Sequence, residues 1–177
     1  MKKRIHIVGL FFAILSCAAP SRTATGAQKS AKASMQEGRK MTIHHAKGWF
    51  EPTLTPQPPE DKAEGSTLAR MSISKKFHGD LEATSEGHML TALTDVKGSA
   101  GYVAIERVTG TLHGHSGSFV LQHMGILNRG AAHLTVTAVP DSGTGVLAGI
   151  VISNFAIKID PNGKHFYEFD YTLPETP

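Results

Sequence analysis

From Met41 onward, apolar and polar residues alternate with a period of two, and Gly, Asn, Asp and Pro break the pattern at short intervals. Such a pattern builds half-buried strands joined by turns, and no helical period in it persists beyond about two turns. Eight strands are expected, over residues 41–50, 67–77, 80–93, 102–112, 115–127, 132–139, 145–159 and 165–173. Strands joined in this way leave unpaired backbone N–H and C=O groups on two edges, and closing the sheet on itself removes both edges. The expected fold is therefore all-β, an eight-stranded antiparallel β-barrel, with a two-sheet sandwich as the alternative. Eight strands enclose a space that is either packed solid or just wide enough for one small ligand.

The breaks have physical causes. Residues 51–66, "EPTLTPQPPEDKAEGS", hold four of the nine prolines. Proline cannot donate to a ladder, so this segment is expected to be a long exposed loop. "PDSGTG" and "DPNGK" are turn clusters, the second with an Asn-Gly pair suited to positive φ.

The most informative hairpin is "GYVAIERVTGTLHGHSGSFVLQHMG", residues 101–125. A two-residue turn at His113 and Gly114 sets Leu112 opposite His115. One face then carries Tyr102, Ala104, Glu106, Val108, Leu112, His115, Phe119, Leu121 and His123, while the face with Val103, Ile105, Arg107, Thr109, Gln122 and Met124 looks more solvated. In this register Glu106 sits opposite Leu121 with His123 diagonal to it, within reach of long side chains. A carboxylate and an imidazole on an apolar wall can exchange protons if burial and mutual charge bring both pKa values toward neutrality. They can equally form a satisfied structural pair, and the spacing leaves both readings open.

Other chemistry fits poorly. Glycine loops that cradle phosphate run from a strand into a helix, whereas here a strand follows. His113-Gly-His115 lacks a third ligand at usable spacing, so neither a metal nor any other cofactor is expected. GHSGS at residues 114–118 lacks the strand-to-helix elbow that a GxSxG serine needs.

The first residues, "MKKRIHIVGLFFAILSCAAPS", place Lys2, Lys3 and Arg4 before an apolar run that ends at Cys17, the pattern of a secretory signal. Cys17 is the single cysteine and follows Ile14, Leu15 and Ser16, a run resembling a lipoprotein lipobox. Two outcomes are consistent with this: lipidation at Cys17, or cleavage further on near Ala27. The protein is expected to cross the inner membrane and to be periplasmic or lipid-anchored, with no other membrane contact. Residues 18–40 read as a disordered basic tether and residues 41–177 as one barrel domain. The chain carries a formal +3 overall, but from Met41 onward ten Lys and Arg stand against fourteen Asp and Glu, 10 − 14 = −4. An acidic domain is a poor partner for nucleic acid.

Taken together, "GWFEP", "RMSISKKFHGDLEATSEGHML", the hairpin above, "VPDSGTGVLAGI" and "HFYEFDYTLP" resemble, in order over residues 41–173, the bacterial Domain of Unknown Function 3224 family. The resemblance implies a barrel like that of allene oxide cyclase and carries no established activity. The family pattern usually has Arg where this chain has His115, and an acid where it has Val146. That leaves Glu106, Gln122 and His123 as the matching polar residues.

The leading expectation is a small, partly apolar ligand in the barrel lumen, held by Tyr102, Glu106, His115, Phe119, Leu121 and His123. Met71, Ile73 and Phe77 would add to the lining, with Trp49 and Tyr171 closing one end. Two other readings stand beside it. One is an isomerase or cyclase using Glu106 and His123 as acid and base. The other is a ligand-free barrel acting through its surface or by forming a homo-oligomer.

Overall fold

Among the described residues the alternating pattern folds into nine strands: β1 (His44–Pro56), β2 (Asp61–Ala63), β3 (Ser66–Gly79), β4 (Leu81–Thr94), β5 (Ala100–Leu112), β6 (His115–Asn128), β7 (Ala131–Ala138), β8 (Val151–Ile159) and β9 (His165–Thr172). The structure, a computed structural model, describes residues 41–58 and 61–174. All pairings are antiparallel, in the order β7-β6-β5-β4-β3-β1-β9-β8, with the short β2 added against β3. The terminal strands β7 and β8 come alongside each other, so the eight-stranded path nearly closes into a barrel. This is the all-β antiparallel barrel expected from the alternation.

Two segments differ from expectation. The proline-rich stretch is largely strand, because β1 continues through Pro52 to Pro56 and β2 follows it. Strand β9 pairs with β1 only as far as Phe50, while β3 pairs with it from Gly48 to Pro56. Beyond Phe50 one side of β1 is therefore an edge, where a proline lacking its N–H leaves no ladder bond broken. The second difference is at Gly145–Leu147, which forms a single 3-10 turn, and β8 begins only at Val151. That turn buries Leu147, and Ile150 follows it into the core.

From Gly48 to Phe50 strand β1 is paired on both sides, with β9 and β3, and only glycine fits at Gly48. A Cβ on Gly48 would lie 2.0 Å from the His78 carbonyl oxygen and 2.5 Å from the Tyr167 hydroxyl. That hydroxyl accepts the Leu81 N–H at 2.9 Å, which ties β9 to the start of β4.

The inward side chains form two apolar groups. The larger runs through Phe50, Phe77, Leu81, Val108, Leu112, Phe119, Leu121 and Phe169. The smaller holds Ile73, Met89 and Ala104, with half-buried Met71 and Tyr102 packed on it. Full burial of each large apolar side chain contributes about 1.5–3 kcal/mol, so the larger group supplies most of the driving force for closure.

Candidate functional site: a buried charged layer and an apolar outer face

Strand alternation brings four polar side chains into the interior where the two apolar groups meet. Along β3, Lys75 lies between Ile73 and Phe77; along β4, Ser85 follows Ala83; along β5, Glu106 lies between Ala104 and Val108; along β6, His123 follows Leu121. Each is the next inward position on its strand, so the four form one layer across four adjacent strands.

Glu106 is the centre of this layer and is fully buried. Its Oε1 accepts a hydrogen bond from Lys75 Nζ at 2.5 Å and lies 2.8 Å from His123 Nε2, while Oε2 accepts from the Ser85 hydroxyl at 2.8 Å. Lys75 Nζ also stands 5.2 Å from the centroid of the Phe50 ring and 5.9 Å from that of Phe77, a cation over aromatic faces. Burial by itself would push the Glu106 carboxyl up. The His123 hydrogen bond and the Lys75 charge outweigh that push and bring it down to about 2. Among the described residues, no buried side-chain nitrogen or oxygen lacks a partner.

The hairpin register is the expected one, with Leu112 facing His115, Glu106 facing Leu121 and Ala104 facing His123. Glu106 and His123 are thus brought together. Their electrostatics differ from expectation: the His123 hydrogen bond, and then the charge of Lys75 from outside the hairpin, lower the Glu106 pKa instead of leaving it raised toward neutrality. A general base works best with a pKa near the operating pH, and an ionised carboxylate held at about 2 by three donors is a weak one.

Phe119 and Leu121 belong to the larger core group. Tyr102 is half-buried, its ring lying over Gly125, where a Cβ would come within 2.1 Å of the ring. Burial, and then the Glu106 charge, push its hydroxyl pKa up. His115 is exposed and lines no lumen. The next inward position on β6 is Gly117, which is covered by Thr144 and Leu147, and His115 lies beyond that cover in solvent. Gln122 points outward, as does Trp49, which stacks on His78 under Lys164 and does not close the barrel. Tyr171 does point inward and is bonded through its hydroxyl to His113 Nδ1 at 2.8 Å. Cys17, the signal and the tether lie outside the described residues.

Lys75 and Ser85 were missed in the sequence. Their signal was present: with Ile73 and Phe77 read as inward, alternation makes Lys75 inward, and Leu81 and Ala83 do the same for Ser85.

Two concavities lie on the outer face of the sheet. One, of about 730 Å³, is bordered by Gln57, Arg70, His88, Leu90, Val103 and Ile105. The other, of about 420 Å³, is bordered by Leu68, Leu90, Val103, Met124 and Ile126 over a floor that includes Ala92, Gly101 and Gly125. Leu68, Leu90, Val103, Ile105, Met124 and Ile126 are each about half exposed, at 45 to 53%. Register makes them neighbours: Leu90, Val103 and Met124 form one cross-strand row, with Ile105 in the row on one side and Leu68 and Ile126 in the row on the other.

An all-β barrel with an apolar interior, a buried Lys-Glu-His layer and an aliphatic outer face is the class that this fold and site define. The chain belongs to the DUF3224 family, described as proteins of unknown function, which it matches over residues 46–171. It is similar to a crystal structure of a protein with unknown function from that family from Shewanella oneidensis MR-1, at 48% identity and a TM-score of 0.70, covering 77% of this chain and 100% of that one. No curated protein matches the chain.

Proposed function

We propose that this protein is a packed, non-catalytic barrel that works by binding an apolar partner on the outer face of β3 to β6. The observation that carries this reading is the contiguous patch of six half-exposed aliphatic side chains beside two grooves. Soluble domains seldom leave so much aliphatic surface in one place unless something covers it. The interior offers a contrast, since the Glu106 carboxylate already spends both oxygens on protein donors and is a poor base.

The test replaces the patch and asks whether folding or association suffers. Val103→Glu combined with Ile126→Lys should leave the thermal midpoint within a few degrees of wild type. The same variant should abolish whichever activity wild type shows, self-association or binding of the dye anilinonaphthalene sulfonate. A wild-type protein that neither associates nor binds the dye would overturn the reading.

A second reading keeps the lumen. Tyr102 and Met71 are half-buried over Ile73, Met89 and Ala104, and the Tyr102 ring rests on a glycine, so a swing of that ring would open the barrel beside His123. A small, partly apolar molecule could enter there with its polar end near Glu106 and His123. Native mass spectrometry of the purified protein tests it: a co-purifying molecule lost in Tyr102→Ala supports the lumen, and a bare protein argues against it.

A further inference from the structure

The outer face pairs a ridge with a groove, and that relationship identifies its occupant. Leu90 and Val103, cross-strand neighbours, border both concavities and stand as a ridge between them. On one side of the ridge the groove floor includes the small outward-facing residues Ala92 and Gly101. A surface that carries a ridge beside a groove is self-complementary under a two-fold rotation, because each ridge then meets the partner's groove.

We infer that the outer face of β3 to β6 is the interface of a homodimer, in which the Leu90–Val103 ridge of each copy seats in the small-residue groove of the other. This rests on the reading of that face as the working surface. The six aliphatic side chains present a patch of roughly 500 Å², at the upper end of what monomers leave uncovered. With its polar border this approaches the roughly 800 Å² per partner of a stable interface. The composition also matches, since the six central residues carry no charge while Arg70, Glu86 and Arg107 stand in the surrounding positions of the same strands. Anionic lipid is the poorer occupant, because the domain from Met41 onward has a formal charge of −4, from ten basic and fourteen acidic residues.

Gly101 allows a test that separates shape from folding. A Cβ built there meets nothing within 4 Å, so the strand accepts a side chain that would fill the groove. The full chain is examined by sedimentation velocity across the micromolar range, both as expressed and with Cys17→Ser, so that neither lipid nor a disulfide at Cys17 can drive association. The expected result is a dimer in both forms. Gly101→Leu and Val103→Glu should each weaken it at least tenfold, while Thr109→Glu, exposed on the same strand but away from the patch, should leave it intact. A monomeric wild type overturns the dimer, as does a dimer indifferent to both variants. If that monomer still binds anilinonaphthalene sulfonate through Val103, the outer-face reading survives with another occupant. If it instead sediments with phosphatidylglycerol vesicles, the occupant is lipid. A monomer that does neither removes both readings.

Discussion

His123 on β6 reaches across the diagonal of the β5–β6 ladder to Oε1 of Glu106, 2.8 Å away, and shares that oxygen with Lys75 from β3. One carboxylate oxygen thus joins three strands in the interior of the barrel. Removing one member of such a set leaves an uncompensated charge in a site of low polarity, which costs more than the set contributes as a whole. Glu106→Gln should therefore lower stability by about 3–5 kcal/mol in urea denaturation. Replacing the layer together, with Lys75→Met, Glu106→Leu and His123→Phe, should recover most of that loss or exceed wild type. A Glu106→Gln variant within about 1 kcal/mol of wild type would show that the layer meets water or a ligand and is not a sealed structural centre.

The pH dependence follows from the same carboxylate. Its pKa is about 2 in the folded chain against 4.5 ordinarily. A depressed folded pKa contributes stability that is fully present above the unfolded value and is lost as pH falls through the folded one. Wild type should thus lose on the order of 3 kcal/mol between about pH 4.5 and pH 2, and Glu106→Gln should lose much less over the same window. Urea midpoints at both ends of the window, measured for the two proteins, give the difference directly. Parallel pH profiles would mean that Glu106 is not ionised in the folded interior.

Two glycines should respond in opposite ways to the same added methyl group. At Gly48 it would collide with the backbone of His78, 2.0 Å away, so Gly48→Ala should lower stability by several kcal/mol or prevent folding. At Gly101 it meets nothing, and Gly101→Ala should be neutral or stabilise by up to about 1 kcal/mol through the unfolded state. Thermal midpoints of the two variants check this, and equal effects would contradict the close approach of β3 and β9 at Gly48.

The lipobox-like run ending at Cys17 allows two outcomes, lipidation there or cleavage near Ala27, and labelling separates them. With lipidation, cells expressing the chain should incorporate labelled palmitate into it and hold it in the membrane fraction, with Cys17→Ser abolishing both. A soluble periplasmic product whose intact mass begins near residue 28 would instead establish cleavage at the later site.

The period-two alternation determined most of the strands, the antiparallel barrel and the 112–115 turn, because inward and outward positions follow from parity once one face is apolar. It also determined that Glu106 and His123 would meet, since both lie on one hairpin and their contact is local in sequence. Lys75 comes to the same carboxylate from 31 residues away, and its contact depended on the β3–β4–β5 registers, which no local pattern states. That tertiary contact adds to the His123 hydrogen bond in holding the Glu106 pKa down. The edge position of β1 beyond Phe50, which made its prolines harmless, depended on where β9 stops pairing. The exposure of Leu90, Val103 and Ile126 was decided the same way: alternation assigns them to the outer face, and only the assembled sheet places three strands' aliphatic residues side by side. Parity fixes which way a side chain points, whereas its neighbours and its solvent are properties of strands far apart in the chain.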